Sequence, residues 1–195
     1  WSSFALDIGK HLVDRGLILE IGDSVAQSGN FEFAFDVGKY LGNNALIFKT
    51  GDLAAQSGKF NLAFNIGEYL CDNNLILKIG NIALQWNNFK NAYRAFKKLQ
   101  MKNMIFMVFK KVIESRGTAV PIADMLRETD WTGQDLMELI NSFHIKTPSP
   151  RRILLFDYFE SRYPQEAKVW AEKISEFGCP NKILLGKRWP CHTKD

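Results

Sequence analysis

GDLAAQSGKFNLAFNIGEYL, residues 51–70, decides how this chain folds, because a near copy, GDSVAQSGNFEFAFDVGKYL, stands at 22–41 and a more divergent one, GNIALQWNNFKNAYRAFKKL, at 80–99. Set 29 positions apart, the three copies align Gly22, Gly51 and Gly80, then Gln27, Gln56 and Gln85, then Phe31, Phe60 and Phe89, then Ala34, Ala63 and Ala92, and finally Leu41, Leu70 and Leu99. A fixed period of this size marks a repeat array, in which each unit buries its apolar face only by stacking on its neighbours.

Each unit reads as two amphipathic helices. Leu75, Ile76, Ile79, Ile82, Ala83 and Trp86 recur at helical spacing, as do Phe60, Ala63, Phe64, Ile66, Gly67 and Leu70. The breaks between helices are short: Ser28-Gly29, Asn43-Asn44, Ser57-Gly58, Asn73-Asn74 and Asn87-Asn88. All are built from residues that tolerate the left-handed conformation ending a helix. Short breaks force neighbouring helices to fold back antiparallel. Glycine inside a helix costs about 1 kcal/mol against alanine. Gly22, Gly51 and Gly80, with Ala34, Ala63 and Ala92, are therefore expected where one helix crosses another and side-chain bulk must be absent.

The expected fold class is all-α, an α-solenoid of stacked antiparallel helix hairpins with a C-terminal helical extension. The repeat array is expected over residues 1–130, clearest over 4–100, and a C-terminal hairpin and tail over 131–195. Residues 103–117 and 120–130 continue the period weakly, Thr132 offers an N-cap for the next helix, and HIKTPSPRR is the loop before a last hairpin. Residues 4–13 match the second helix of a unit whose first helix would precede residue 1. Further repeats or a subunit are thus expected to cover that end.

The spacing of Gly51, Gly58, Phe60 and Ala63, repeated in Gly22, Gly29, Phe31 and Ala34, resembles the small-and-aromatic signature of the tetratricopeptide (TPR) hairpin. The period of 29 is shorter than that family's, about 34, and asparagine pairs stand where it has proline. The resemblance implies a scaffold whose first helices line a concave groove that binds a protein or peptide partner. On those helices Asp23 and Gln27, Asp52 and Gln56, and Asn81 and Gln85 lie four apart, so that each pair shares a face and stacking aligns them as a polar ladder. The identity of Gln in all three units favours a structural role, because a groove reading different partner residues would itself vary. Lys49 and Lys78, where the first unit has Glu20, do vary and are the better groove candidates.

The net charge of +4 conceals an asymmetry: residues 1–88 hold 6 Lys and Arg against 9 Asp and Glu, residues 89–195 hold 19 against 12. The stretch 89–111 contains Lys90, Arg94, Lys97, Lys98, Lys102, Lys110 and Lys111 and no acid. Such a run either solvates a helix face or meets phosphate. The alternative to a protein scaffold is therefore an RNA binder resembling the pentatricopeptide repeats, using this segment.

No catalytic set is nominated. His11 falls at the repeat position of Tyr40 and Tyr69, His144 lies in a loop, and Cys179, Cys191 and His192 lack a metal-ligand spacing, so neither metal nor cofactor is implied. No apolar run approaches the length of a membrane helix. Three cysteines, an odd number without repeated spacing, fit a reducing compartment, and the cytoplasm is the expected location. The first residue is Trp1, so that the true N-terminus is expected upstream.

Overall fold

The computed structural model describes residues 14–115, 122–142 and 150–169. The helix expected at 4–13, with His11, and the loop centred on His144 lie outside the described residues. So do the second half of the last hairpin with Trp170, and the tail with Cys179, Cys191 and His192. Described residues are all-α, without strands: α1 (Arg15–Gln27), α2 (Phe31–Leu41), α3 (Asn44–Gln56), α4 (Phe60–Tyr69), α5 (Asn73–Gln85), α6 (Phe89–Lys98), α7 (Lys102–Glu114), α8 (Ile122–Arg127), α9 (Gly133–Asn141) and α10 (Pro150–Arg162). Residues 164–169 are also helical. No described helix is long and apolar enough to cross a membrane.

The chain divides into two compact units, residues 1–102 and 103–195. The division coincides with the end of the clear repeats near residue 100; the boundary expected at 130/131 lies inside the second unit.

In the first unit each helix packs on the next to form an α-solenoid of antiparallel hairpins. Six successive junctions use one device. The residues at 29, 42, 58, 71, 87 and 100 all have positive φ, although Cys71, Asn87 and Gln100 are not glycine. At each, two main-chain bonds close the preceding helix: Asn30 N–H donates to the Val25 carbonyl and Gly29 N–H to that of Ala26, and the pattern recurs through Met101 to Phe96 and Gln100 to Lys97. This is the Schellman arrangement, which satisfies carbonyls that a helix end leaves orphaned.

The residue after each left-handed position then begins the next helix. Asn30, Asn43, Asp72 and Asn88 accept from main-chain N–H groups of the first turn through their side-chain oxygens. The asparagine pairs 43–44 and 73–74 consequently start helices instead of ending them; the left-handed residues there are Gly42 and Cys71. A short carboxamide or carboxylate can take up the free N–H groups of a helix start, which explains why these residue types cluster at the breaks. Lys59, at the head of α4, makes no side-chain cap, and Met101, before α7, has no side-chain oxygen to offer one.

Small residues sit at the crossings. A Cβ on Gly22 would lie 2.7 Å from both Leu46 Cδ2 and Val37 Cγ1; on Gly51, 2.7 Å from Ile66 Cγ2 and 3.1 Å from Leu75 Cδ2; on Gly80, 2.8 Å from Phe96 Cε1. Ala34, Ala63 and Ala92 have no exposed surface. Gly38 and Gly67 make a second set of crossings, against Ile47 and Ile76 of the following hairpin, with a Cβ coming to 2.5 and 2.8 Å of Ile Cγ1. Each glycine thus lets two helices approach more closely than a methyl group would allow. Ile18, Val37, Leu41 and Leu46 form one core cluster between hairpins, and Phe64, Ile76 and Ala95 another.

Trp86 departs from expectation. Read from periodicity as part of the apolar face of α5, it instead ends that helix, is 58% exposed, and stands edge-on to Phe60 over the Gly58 turn.

The second unit has its own core, built from Ile105, Val108, Phe109 and Val112 of α7 and from Met125, Leu126, Leu136, Leu139 and Phe159 of the helices that follow. Thr132 caps α9 in a reciprocal box with Asp135. Trp131 is buried edge-on to Phe109, and the Tyr163 hydroxyl donates to the Trp131 carbonyl. Tyr163 is thereby half-buried and engaged.

Candidate functional site

The first helices α1, α3 and α5 form one row, and they approach one another more closely than the second helices α2, α4 and α6 do. In a curved stack the more crowded row is the inner one, so the first-helix row is the concave side of this unit. Buried Ala26, Ala54, Ala55 and Ala83 supply the low bulk that close approach requires.

Ion pairs tie that row together. Lys49 Nζ lies 2.8 Å from Asp23 Oδ1, and Lys78 Nζ lies 2.5 Å from Asp52 Oδ1. Each joins a first helix to the one before it at equivalent positions, 26 residues apart. The Asp52 carboxylate is largely enclosed, with 22% of its side chain exposed; its other oxygen accepts from Gln56 Nε2 at 2.9 Å. Lys49 and Lys78 are therefore neutralised from within the chain. They are less available to a partner than their variability suggested, and Asp23 and Asp52 are equally engaged.

The sequence contains the trace of this coupling. One repeat further on, the aspartate position holds Asn81 and the lysine position Met107, so that both charges disappear together. Removing one alone would leave the other without its counterion.

Gln27, Gln56 and Gln85 are each the last residue of their helix, and all three are exposed. The side chains of Gln27 and Gln85 hydrogen-bond to no described residue. Beside them the row presents two apolar positions that differ between repeats: at one, Phe48 stands between Leu19 and Leu77 of the flanking units, and the other runs Ser24, Leu53 and Ile82. Phe48 is the large apolar side chain most open to solvent among these, 39% exposed at the middle of the row. These positions were missed because periodicity assigns apolar residues to the core; the signal in the sequence is that they vary while true core positions such as Ala34, Ala63 and Ala92 do not.

The basic stretch behaves differently. Arg94 and Lys98, on the second-helix face, both converge on Glu68, at 3.6 and 2.9 Å, and the Arg94 guanidinium also stacks on Phe64, 3.9 Å from the ring centre. Lys97 stands 5.7 Å over Tyr93. Lys90, Lys102 and Lys111 are exposed, and Lys110 is half-buried. An acid-free run of sequence is thus not an acid-free surface, because Glu68 is brought in from the preceding hairpin.

Among the described residues no three His, Cys, Asp or Glu side chains are grouped so as to hold a metal ion. Compared with protein-family models, curated proteins and solved structures, the chain matches none.

Proposed function

We propose that this chain is a protein-interaction scaffold of TPR-like design, whose first-helix face binds a protein or peptide partner. The observation that carries this reading is the first-helix row itself: equivalent positions of successive repeats stand side by side, held in register by the Lys49–Asp23 and Lys78–Asp52 pairs. Between those pairs lie the variable apolar positions, Phe48 and Leu77 at one and Leu53 and Ile82 at the other, open to solvent to differing degrees. A concave surface with an ion-paired polar frame and variable apolar positions can discriminate among partners by shape and apolar fit. The alternative of RNA binding through residues 89–111 is weakened by Glu68, which pairs with Arg94 and Lys98, offsets one of their two charges and would repel phosphate beside them.

The test is capture of partners from cell extract by the whole chain, by its Phe48→Ser variant and by a Lys97→Glu, Lys98→Glu variant, followed by mass spectrometry. The scaffold reading expects Phe48→Ser to lose proteins that the second-helix variant retains. The RNA reading expects the opposite order, with ribonuclease-sensitive capture and an affinity for single-stranded RNA that falls steeply with salt. Partners that ignore Phe48→Ser would remove the first-helix face from consideration.

A further inference from the structure

Gln27, Gln56 and Gln85 are constant where Ser24, Leu53 and Ile82, one turn before them, vary, and the fold does not account for that constancy. Each helix end is already closed through its main chain, by the Schellman bonds from residues 29 and 30, 58 and 59, and 87 and 88. The Gln56 side-chain amide reaches only Asp52, one turn back, and the side-chain amides of the other two glutamines bond to no described residue. If an internal contact preserved these residues, the contact would be present in all three repeats.

Three equal groups at equal intervals suit a ligand that is itself the same at each interval. A carboxamide donates and accepts at once, which matches the N–H and C=O of an extended main chain and not a side chain of one particular type. Gln56 lies on the same helical stripe as Asp52 and Phe48, at spacings of four and eight, so a segment held by the glutamines passes within a turn of Ser24, Leu53 and Ile82 and about 12 Å, two turns, from the Phe48 position. Charge narrows the chemistry. With Lys49 and Lys78 neutralised by Asp23 and Asp52, the charges left over on the row are Arg15, at the start of α1, whose guanidinium donates to the Leu41 carbonyl, and Glu20, exposed and ion-paired with no described residue. A polyanion would meet carboxylates along the row and a single uncompensated cation, Arg15, at its edge, already donating to the Leu41 carbonyl.

We infer that Gln27, Gln56 and Gln85 form an amide ladder that holds the main chain of an extended peptide, uncharged where it crosses α3 and α5 and basic where it passes Glu20 on α1. The variable positions beside the ladder then read its side chains. This rests on the first-helix face being the partner-binding face, and the test separates the two.

The experiment pans random twelve-residue peptides displayed on phage against the whole chain and measures the enriched sequences as synthetic peptides by fluorescence anisotropy. Gln27→Ala, Gln56→Ala and Gln85→Ala should each weaken every enriched peptide by a similar factor, roughly two- to tenfold for one net hydrogen bond, whatever its sequence. Helicity should not fall, because alanine is the better helix former. Methylating a main-chain nitrogen opposite the ladder should cost the same factor in the wild type and little more in the matching Gln→Ala variant. Glu20→Gln should abolish the enrichment for Lys or Arg at one end. Peptides that lose affinity with Phe48→Ser but are indifferent to all three Gln→Ala changes would overturn the ladder and leave the scaffold reading standing. Failure to enrich any peptide, or binding indifferent to Phe48 and the glutamines alike, would overturn both. An oligosaccharide or polyuridylate that binds, and is lost with the glutamines, would overturn the peptide assignment.

Discussion

Lys59 offers a measurable test of how the repeats begin their helices. Its backbone, at φ −81° and ψ 55°, already has the shape of its counterparts Asn30, at −88° and 71°, and Asn88, at −84° and 70°. Those two accept from Phe33 N–H and Asn91 N–H, whereas a lysine side chain has no acceptor to offer. Lys59→Asn should therefore add the missing bond to the first turn of α4 without moving the chain. Two effects are mixed in that substitution, since removing a cation from a helix N-terminus is itself worth about 0.3–1 kcal/mol. Lys59→Ala isolates the charge effect, and the further gain from alanine to asparagine is the cap, about 1 kcal/mol. Asn30→Ala and Asn88→Ala should lose a comparable amount. Thermal and urea unfolding followed by circular dichroism would read the series; for a unit of this size 1 kcal/mol corresponds to roughly 4 °C or more in Tm. An asparagine variant no more stable than the alanine variant would refute the reasoning, because the cap would then contribute nothing at a position whose geometry is prepared for it.

Gly51→Leu should cost on the order of 1–3 kcal/mol or more, since even a Cβ would lie 2.7 Å from Ile66; an unchanged urea midpoint would show that the crossing can open freely. Cys71→Gly and Gln100→Gly should each stabilise by about 0.5–1 kcal/mol, because both residues hold positive φ at a strain that glycine lacks; destabilisation in either would mean that its side chain holds the turn. A double-mutant cycle of Asp52→Asn with Lys78→Met, measured by urea unfolding in low and high salt, should give a coupling of up to about 1 kcal/mol that shrinks with salt, as expected of a partly exposed pair; zero coupling would remove the ion-pair frame from the first-helix row.

The period of 29, the two helices of each unit and the small residues at 22, 51 and 80 were legible in the amino-acid sequence because they depend on spacing along one chain and on steric bulk, and both are local properties. Even the paired loss of charge at Asn81 and Met107 was written there, though nothing local says that positions 26 apart face each other. What required the tertiary structure was the allocation of charge and exposure across neighbouring hairpins. Lys49 and Lys78 looked available until Asp23 and Asp52 were found beside them, and residues 89–111 looked uniformly basic until Glu68 arrived from the hairpin before. Periodicity assigned Trp86 to the core, yet it is exposed at a helix end, and Phe48 lies open on the inner row. Helical period fixes which residues share a face, but only the packing of one helix against others decides whether that face is covered, and Coulombic partners 26 to 30 residues away in the chain come within 4 Å only once the stack has formed.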